Sequence, residues 1–271
     1  AAMLAGDFTA FTSPTCNSGR QVALRAPFVN NQINPALYSP AAINIAKKLP
    51  TTTDPCGDVR YSSPQKYNQG QVIGKVDFQA SANHSMFGRY MITFDHQDPA
   101  WPDSGTVLTS GTNDTFQEHK AHSLALGDTR VFGSNMVNSF RLGWNRTNAG
   151  YHLEKFFGPE DVGIKGIYNY VPGIMGITVT NAFQTAAGGS VLFQADTDAY
   201  QASDDLTLVR GSHQLALGTN LTYWQHDTID GPRGPGLWTF DGSNTGIGLA
   251  DFLTGTFFQP YKARPGDMPI K

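Results

Sequence analysis

From residue 71 onward, apolar residues fall on every second position. In Val72-Ile73-Gly74-Lys75-Val76-Asp77-Phe78, Val72, Val76 and Phe78 lie on one side and Lys75 and Asp77 on the other, the alternation of a strand with unlike faces. After the compact polar turn Ser81-Ala82-Asn83-His84, the apolar side continues through Met86, Tyr90, Ile92 and Phe94, opposite Arg89 and Thr93, which predicts a hairpin. The unit recurs twice. Segments 122–130 and 136–146 flank Phe132-Gly133-Ser134-Asn135, with Phe140, Leu142 and Trp144 opposite Ser139, Arg141 and Asn145. Segments 200–209 and 214–226 flank Arg210-Gly211-Ser212-His213, with Leu215, Leu217, Leu221 and Tyr223 opposite Gln214, Ala216, Gly218, Asn220 and Thr222.

The turns within hairpins are short, whereas the links between hairpins are long, over 95–118 and 150–198. Compact soluble domains rarely carry structureless links beyond about 12–15 residues, while barrels of the outer membrane combine short turns at one rim with long loops at the other. The arms also reach the roughly 9–11 residues needed to cross a bilayer at a tilt. The fold class expected is therefore all-β: an antiparallel meander of long hairpins, about 6–8 strands here, forming part of a transmembrane β-barrel. Tyr90, Phe94, Trp144, Tyr151, Tyr200, Tyr223 and Trp224 fall near the long-loop ends, where an interfacial girdle would sit. Residues 1–70 read as an irregular segment with one short helix near 40–49, started by Ser39-Pro40 and striped by Ala42, Ile45, Ala46 and Leu49. Residues 71–271 read as barrel.

Composition narrows the function. Charged residues are 15%, below the roughly 25% of soluble domains, and a net charge of −3 offers no footprint for nucleic acid. Mean hydropathy is −0.30, and no apolar stretch approaches the 18 or so residues of a membrane helix. Cys16 and Cys56 are the two cysteines, and both precede the first hairpin. Paired in an oxidising exterior they would close a long loop; two free thiols is the alternative.

Several blocks resemble a known family. Asn31-Gln32-Ile33-Asn34-Pro35 through Ala41-Ala42 to Leu49-Pro50, Gly74-Lys75-Val76-Asp77, Ser85-Met86-Phe87-Gly88-Arg89-Tyr90, Arg210-Gly211-Ser212-His213-Gln214-Leu215-Ala216-Leu217-Gly218, Trp238-Thr239-Phe240-Asp241-Gly242 and Leu249-Ala250-Asp251-Phe252-Leu253-Thr254-Gly255 are similar, in order and spacing, to Oar-like TonB-dependent outer-membrane transporters. The resemblance implies a large barrel in the outer membrane of a Gram-negative cell, closed by its own plug, energised by the TonB complex, and taking up a scarce solute such as a siderophore, carbohydrate or peptide. The expected partners are thus outer-membrane lipid, plug, TonB complex and a small solute. No plug, TonB box or C-terminal aromatic strand is found, so the chain is expected to be a fragment of a longer protein.

Candidate residues follow from the two faces. Lys75, Asp77, Arg89, Arg141, Asn145, Asp205, Asn220 and Thr222 would face a wet lumen and meet a plug or polar solute. Trp101, Tyr168, Tyr170 and Trp238 are expected as exposed loop aromatics for ligand stacking. His119 and His122 are three apart and fall on opposite faces of a strand, which argues against a shared metal ion. Asp95, His96, Asp98 and Asp103 lack the spacing of a calcium loop, and the Gly-rich run 241–248 is read as a loop lacking the strand, Lys and helix of a phosphate cradle. No nucleophile elbow or zinc-protease motif occurs, so neither enzymatic activity nor a cofactor is expected. Two readings stay open beside the transporter: a secreted structural or adhesive β-protein, and a passive porin.

Overall fold

The computed structural model of the protein describes residues 2–60, 66–98, 115–169, 171–186, 190–232, 234 and 236–261. In chain order these hold helix α1 (Pro40–Ala46), strands β1 (Lys66–Ser81), β2 (His84–Asp98), β3 (Thr115–Phe132), β4 (Met136–Leu153), β5 (Gly176–Val179), β6 (Phe183–Thr185), β7 (Ser190–Arg210), β8 (His213–Pro232) and β9 (Leu237–Phe240), helix α2 (Gly248–Thr254) and strand β10 (Gln259–Tyr261). Six long strands form one antiparallel sheet in the order β1-β2-β3-β4-β7-β8. Each hairpin predicted from alternation is present, and β7 and β8 reach 21 and 20 residues. Gly133 and Gly211 adopt φ near 60° at two of the turns, a backbone region that side-chain-bearing residues avoid. The sheet is open: β1 and β8 form its two edges and do not pair with each other.

At the rim carrying the long links sits a compact cap built from 2–60, 154–186 and 236–261. It contains α1, α2 and a four-stranded sheet in the order β10-β9-β5-β6, with β5 parallel to β9. One apolar core runs through all three segments, drawing Phe8, Phe28 and Ile45 from the first, Phe157 and Ile177 from the second, and Trp238 and Phe252 from the third. Two expectations are corrected here. The link 150–198 is not structureless, because its Val162, Met175, Ile177 and Val179 are buried and knit it into the cap. The stretch from Trp238 to Gly255, expected as further barrel, is instead a four-residue strand followed by a helix whose Ala250, Phe252 and Leu253 are buried. A seven-residue helix and a four-residue strand are too short to span a bilayer, and both find their partners within the cap. The first segment is likewise ordered: Ser39 caps α1 by accepting from the Ala42 N–H, as its sequence predicts.

Two local features hold the cap together. Cys16 and Cys56 form a disulfide across 40 residues of chain, and closing a loop of that length contributes on the order of 4 kcal/mol in the chain-entropy model. The Gly-rich run 241–248 is corrected from a loop without flanking elements: it joins strand β9 to helix α2, and it cradles an anion that is internal. The fully buried Asp251 carboxylate accepts the N–H groups of Gly242, Asn244 and Thr245 at 3.1, 3.2 and 2.7 Å and the Thr245 hydroxyl at 2.6 Å. Gly248 lets α2 begin against the chain of Phe240 and Thr180, where a Cβ would meet backbone atoms at 2.6–2.9 Å.

Asp251→Leu would leave these donors buried without an acceptor. The cap is expected to lose at least ~3 kcal/mol, read as accelerated proteolysis of 236–261 while the long sheet stays protected. The Tyr38 hydroxyl donates to the Met3 carbonyl at 2.6 Å, and burial pushes its phenol up to about 12. Because the unfolded phenol ionises near ~10, the stability it contributes is complete below that pH and is lost as pH rises between the two values. Alkaline titration of the cap is expected to show this decline, flattened in Tyr38→Phe.

Candidate functional site: one sheet with two unlike faces

The pairing register assigns every long-strand residue to a face. One row across the sheet reads Val76, Gly88, Leu126, Leu142, Ala202, Leu221, and the next row on the same face reads Gly74, Tyr90, Leu124, Trp144, Tyr200, Tyr223. Toward the short turns the face continues through Phe78, Met86 and Phe140, then Leu206 and Leu217, then Phe132, Met136, Leu208 and Leu215. Its residues are uncovered, with Leu217 71% and Leu221 68% exposed, and no second sheet lies on them among the described residues. Above the aromatic row the character changes to His122, Arg146, Asp198 and Gln225, then Lys120, Asn148, Asp196 and Asp227. From Phe132 to Leu124 the apolar zone covers about 26 Å of strand, or about 20 Å of height at a 40° tilt, close to the ~25 Å lipid-facing band of outer-membrane barrels. Six polar residues lie on this face inside that zone, His84, Asp128, Arg130, Asn138, Asp204 and Thr219; His84 bonds Asp128 and Arg130, and Asn138 bonds Asp204.

The opposite face carries the charged and amide groups of the sheet, beside larger residues such as Ile73, Phe87, Met91 and Trp224. Lys75, Asp77, Arg89, Arg141, Asn145, Asp205, Asn220 and Thr222 all lie on it. Lys75 and Asp77 pair at 2.8 Å, Arg141 and Asp205 at 3.3 Å, and the Gln201 amide donates to Asn220 at 3.1 Å. Between these groups the central strands present small residues: Ala121, Ser123, Ala125 and Gly127 on β3, Gly143, Thr147 and Ala149 on β4, and Ala195, Ala199 and Ser203 on β7. At the loop end of this face, Leu153 joins a buried cluster with Ile174 and Ala186, so the cap leans over the polar side.

A family model described as an outer membrane beta barrel domain matches residues 1–267. The chain belongs to that family. The protein is thus an outer-membrane barrel protein, with its long hairpins as wall. No curated protein matches the chain.

Within this barrel wall the register refines several sequence expectations. Tyr90, Trp144, Tyr200 and Tyr223 share one row at the upper edge of the apolar zone, as an interfacial girdle requires. Tyr151 and Trp224, expected with them, are corrected to the polar face, because each is an odd number of positions from its strand's girdle residue. His119 and His122 part as predicted: His119 bonds Asp95 on the polar side at 2.7 Å, and His122 bonds the Tyr90 hydroxyl on the apolar side at 2.6 Å. Among the loop aromatics, Tyr168 is 41% exposed, whereas Trp238 is only 5% exposed and belongs to the cap core, which corrects its expected stacking role. Trp101 and Tyr170, with Asp103 of the acidic loop, lie outside the described residues. Alternation analysis missed the small-residue floor. Its signal was present as Gly, Ala and Ser at every second position of 121–127.

Neighbouring residues on β8 separate the faces experimentally. Leu221→Arg is expected to cost about 2–4 kcal/mol in a lipid-reconstituted urea titration followed by heat-modifiable gel mobility, whereas Asn220→Arg stays near wild type.

Proposed function

We propose that the apolar face of this wall meets hydrocarbon, that the polar face lines the lumen, and that the barrel is the wall of a TonB-dependent transporter or receptor taking up a scarce solute. The observation that supports it is the small-residue floor of β3, β4 and β7. A water-filled pore gains nothing from a flat inner wall. A folded body lodged in the barrel does, since dispersion attraction requires atoms within about 4 Å. Lys75, Asp77, Arg89, Arg141, Asn145, Asp205 and Asn220 stand beside that floor as hydrogen-bonding and ionic partners for a plug. Rearrangement of the plug, driven by the TonB complex, would release a solute first held at the outer rim, where the cap exposes Tyr168. Siderophore, carbohydrate and peptide are equally compatible with these residues.

Planar-bilayer conductance of the intact outer-membrane protein tests the reading. The plugged wall is expected to be silent and to open only under denaturant that extracts an inner domain, and uptake is expected to stop when the inner membrane is de-energised while surface binding persists. Steady conductance from the first insertion would identify a passive porin instead.

A further inference from the structure

On the polar face, three neighbouring strands bring three unlike side chains together around one carboxylate. Tyr67 of β1, Asp95 of β2 and His119 of β3 share that face by register, with Asp95 paired directly to His119 and one diagonal step from Tyr67. The Tyr67 hydroxyl donates to one Asp95 oxygen at 2.5 Å, and the His119 Nδ1–H donates to the other at 2.7 Å. The Asp95 side chain is 18% exposed, while Tyr67 and His119 are each open to water over about half their surface. Asp95 stands five positions above Tyr90 of the girdle, about 16 Å along the strand or about 13 Å along the normal at barrel tilt. The cluster therefore belongs to the aqueous end of the wall.

A phenol, a carboxylate and an imidazole form a ligand set. Cis ligands that each lie about 2.1 Å from one ion are about 3 Å apart, so an ion that replaces the two bridging protons needs shifts of no more than about 0.5 Å from the spacings present. On binding, the imidazole carries its hydrogen on Nε2 and coordinates through Nδ1, and the phenol loses its proton to water, one proton released per ion. The donor types select the ion. No thiolate stands in the cluster for a soft metal, and His122 lies on the opposite face. Two oxygen-bearing side chains fall short of the six to eight oxygens that calcium takes. A phenol yields its proton only to a strongly polarising ion, and two anionic oxygens with one nitrogen suit a hard trivalent cation. Nearby charges do not oppose it. On these strands Lys66 and Lys120 lie on the other face, and the nearest cations of the same face, Lys75 and Arg89, are about 20 Å further down, with uncharged residues such as Gln71, Thr93 and Ala121 between.

We infer that Tyr67, Asp95 and His119 form a ferric-ion site at the aqueous end of the inner wall, able to take the ion from a weak carboxylate chelate, with its open positions completed by water or by that chelate. The inference rests on the part of the proposed function that opens the polar face to the lumen, and it is independent of the solute carried. The test uses the intact outer-membrane protein in mild detergent, stripped with a chelator and titrated with ferric nitrilotriacetate under visible absorption, where a phenolate on a ferric ion gives a charge-transfer band. Wild-type protein is expected to develop the band at one ion per chain, and equimolar zinc or calcium to leave it unchanged. Tyr67→Phe is expected to lose the band, Tyr151→Phe on the same face to keep it, and Asp95→Asn and His119→Ala to need at least about tenfold more iron for half-saturation. Heat-modifiable mobility verifies the fold of each variant before the titration is read. A wild-type titration without the band, an undiminished band in Tyr67→Phe, or displacement of the iron by equimolar zinc or calcium overturns the site. The titration needs neither plug movement nor an energised membrane, so a missing band strikes this site alone, whereas steady conductance strikes the transport reading.

Discussion

Hydrocarbon cannot hydrogen-bond an amide, and that constraint organises the whole molecule. Each backbone N–H and C=O left unpaired within the bilayer costs several kcal/mol, so a chain crossing by strands must present continuous ladders. Here the ladders run without interruption through most of β1 to β4, β7 and β8, with register shifts only near Gln79 and Ser190. Continuous register has a second effect. With a side-chain period of two, it fixes which half of the residues meets each environment, and a slip of one position would exchange Leu221 for Asn220 across the entire strand. Along β1 and β8, the two open edges of the sheet, the same constraint calls for a hydrogen-bonded neighbour wherever they cross the bilayer.

Above the bilayer the constraint relaxes, and the architecture changes accordingly. Water can satisfy the backbone there, so the links no longer need to be strands, and the cap reverts to ordinary globular principles: a mixed core, short helices, a disulfide and a buried carboxylate that accepts the N–H groups of an irregular loop. The cap leans toward the polar face, where Leu153 at the end of β4 joins Ile174 and Ala186 in a buried cluster. The long strands project past the girdle into this aqueous zone, which is why Lys120, Glu118 and Asp196 occur on the same face as Leu142.

The two surfaces of the wall divide the functional roles. The small-residue floor lies on the face of Arg141 and Asn220, and the opposite face passes from apolar at Leu142 through Trp144 to polar at Arg146 and Asn148. Both depend on neighbouring strands placing like residues in one row, a property of the sheet and not of any single strand.

Alternation alone determined the three hairpins, their unlike faces and the side on which Lys75, Asp77, Arg89, Arg141, Asn145, Asp205 and Asn220 lie, because a period of two is a local property that the backbone must obey. Ser39-Pro40 likewise specified α1 through its own capping chemistry. Tertiary structure alone decided the rows: that Tyr90, Trp144, Tyr200 and Tyr223 align while Trp224 turns away, that Trp238 is buried, and that segments as distant as Phe8, Phe157 and Phe252 share one core. Those outcomes depend on register between strands and on contacts across more than two hundred residues, and no local pattern encodes the free energy of a neighbour it does not contain.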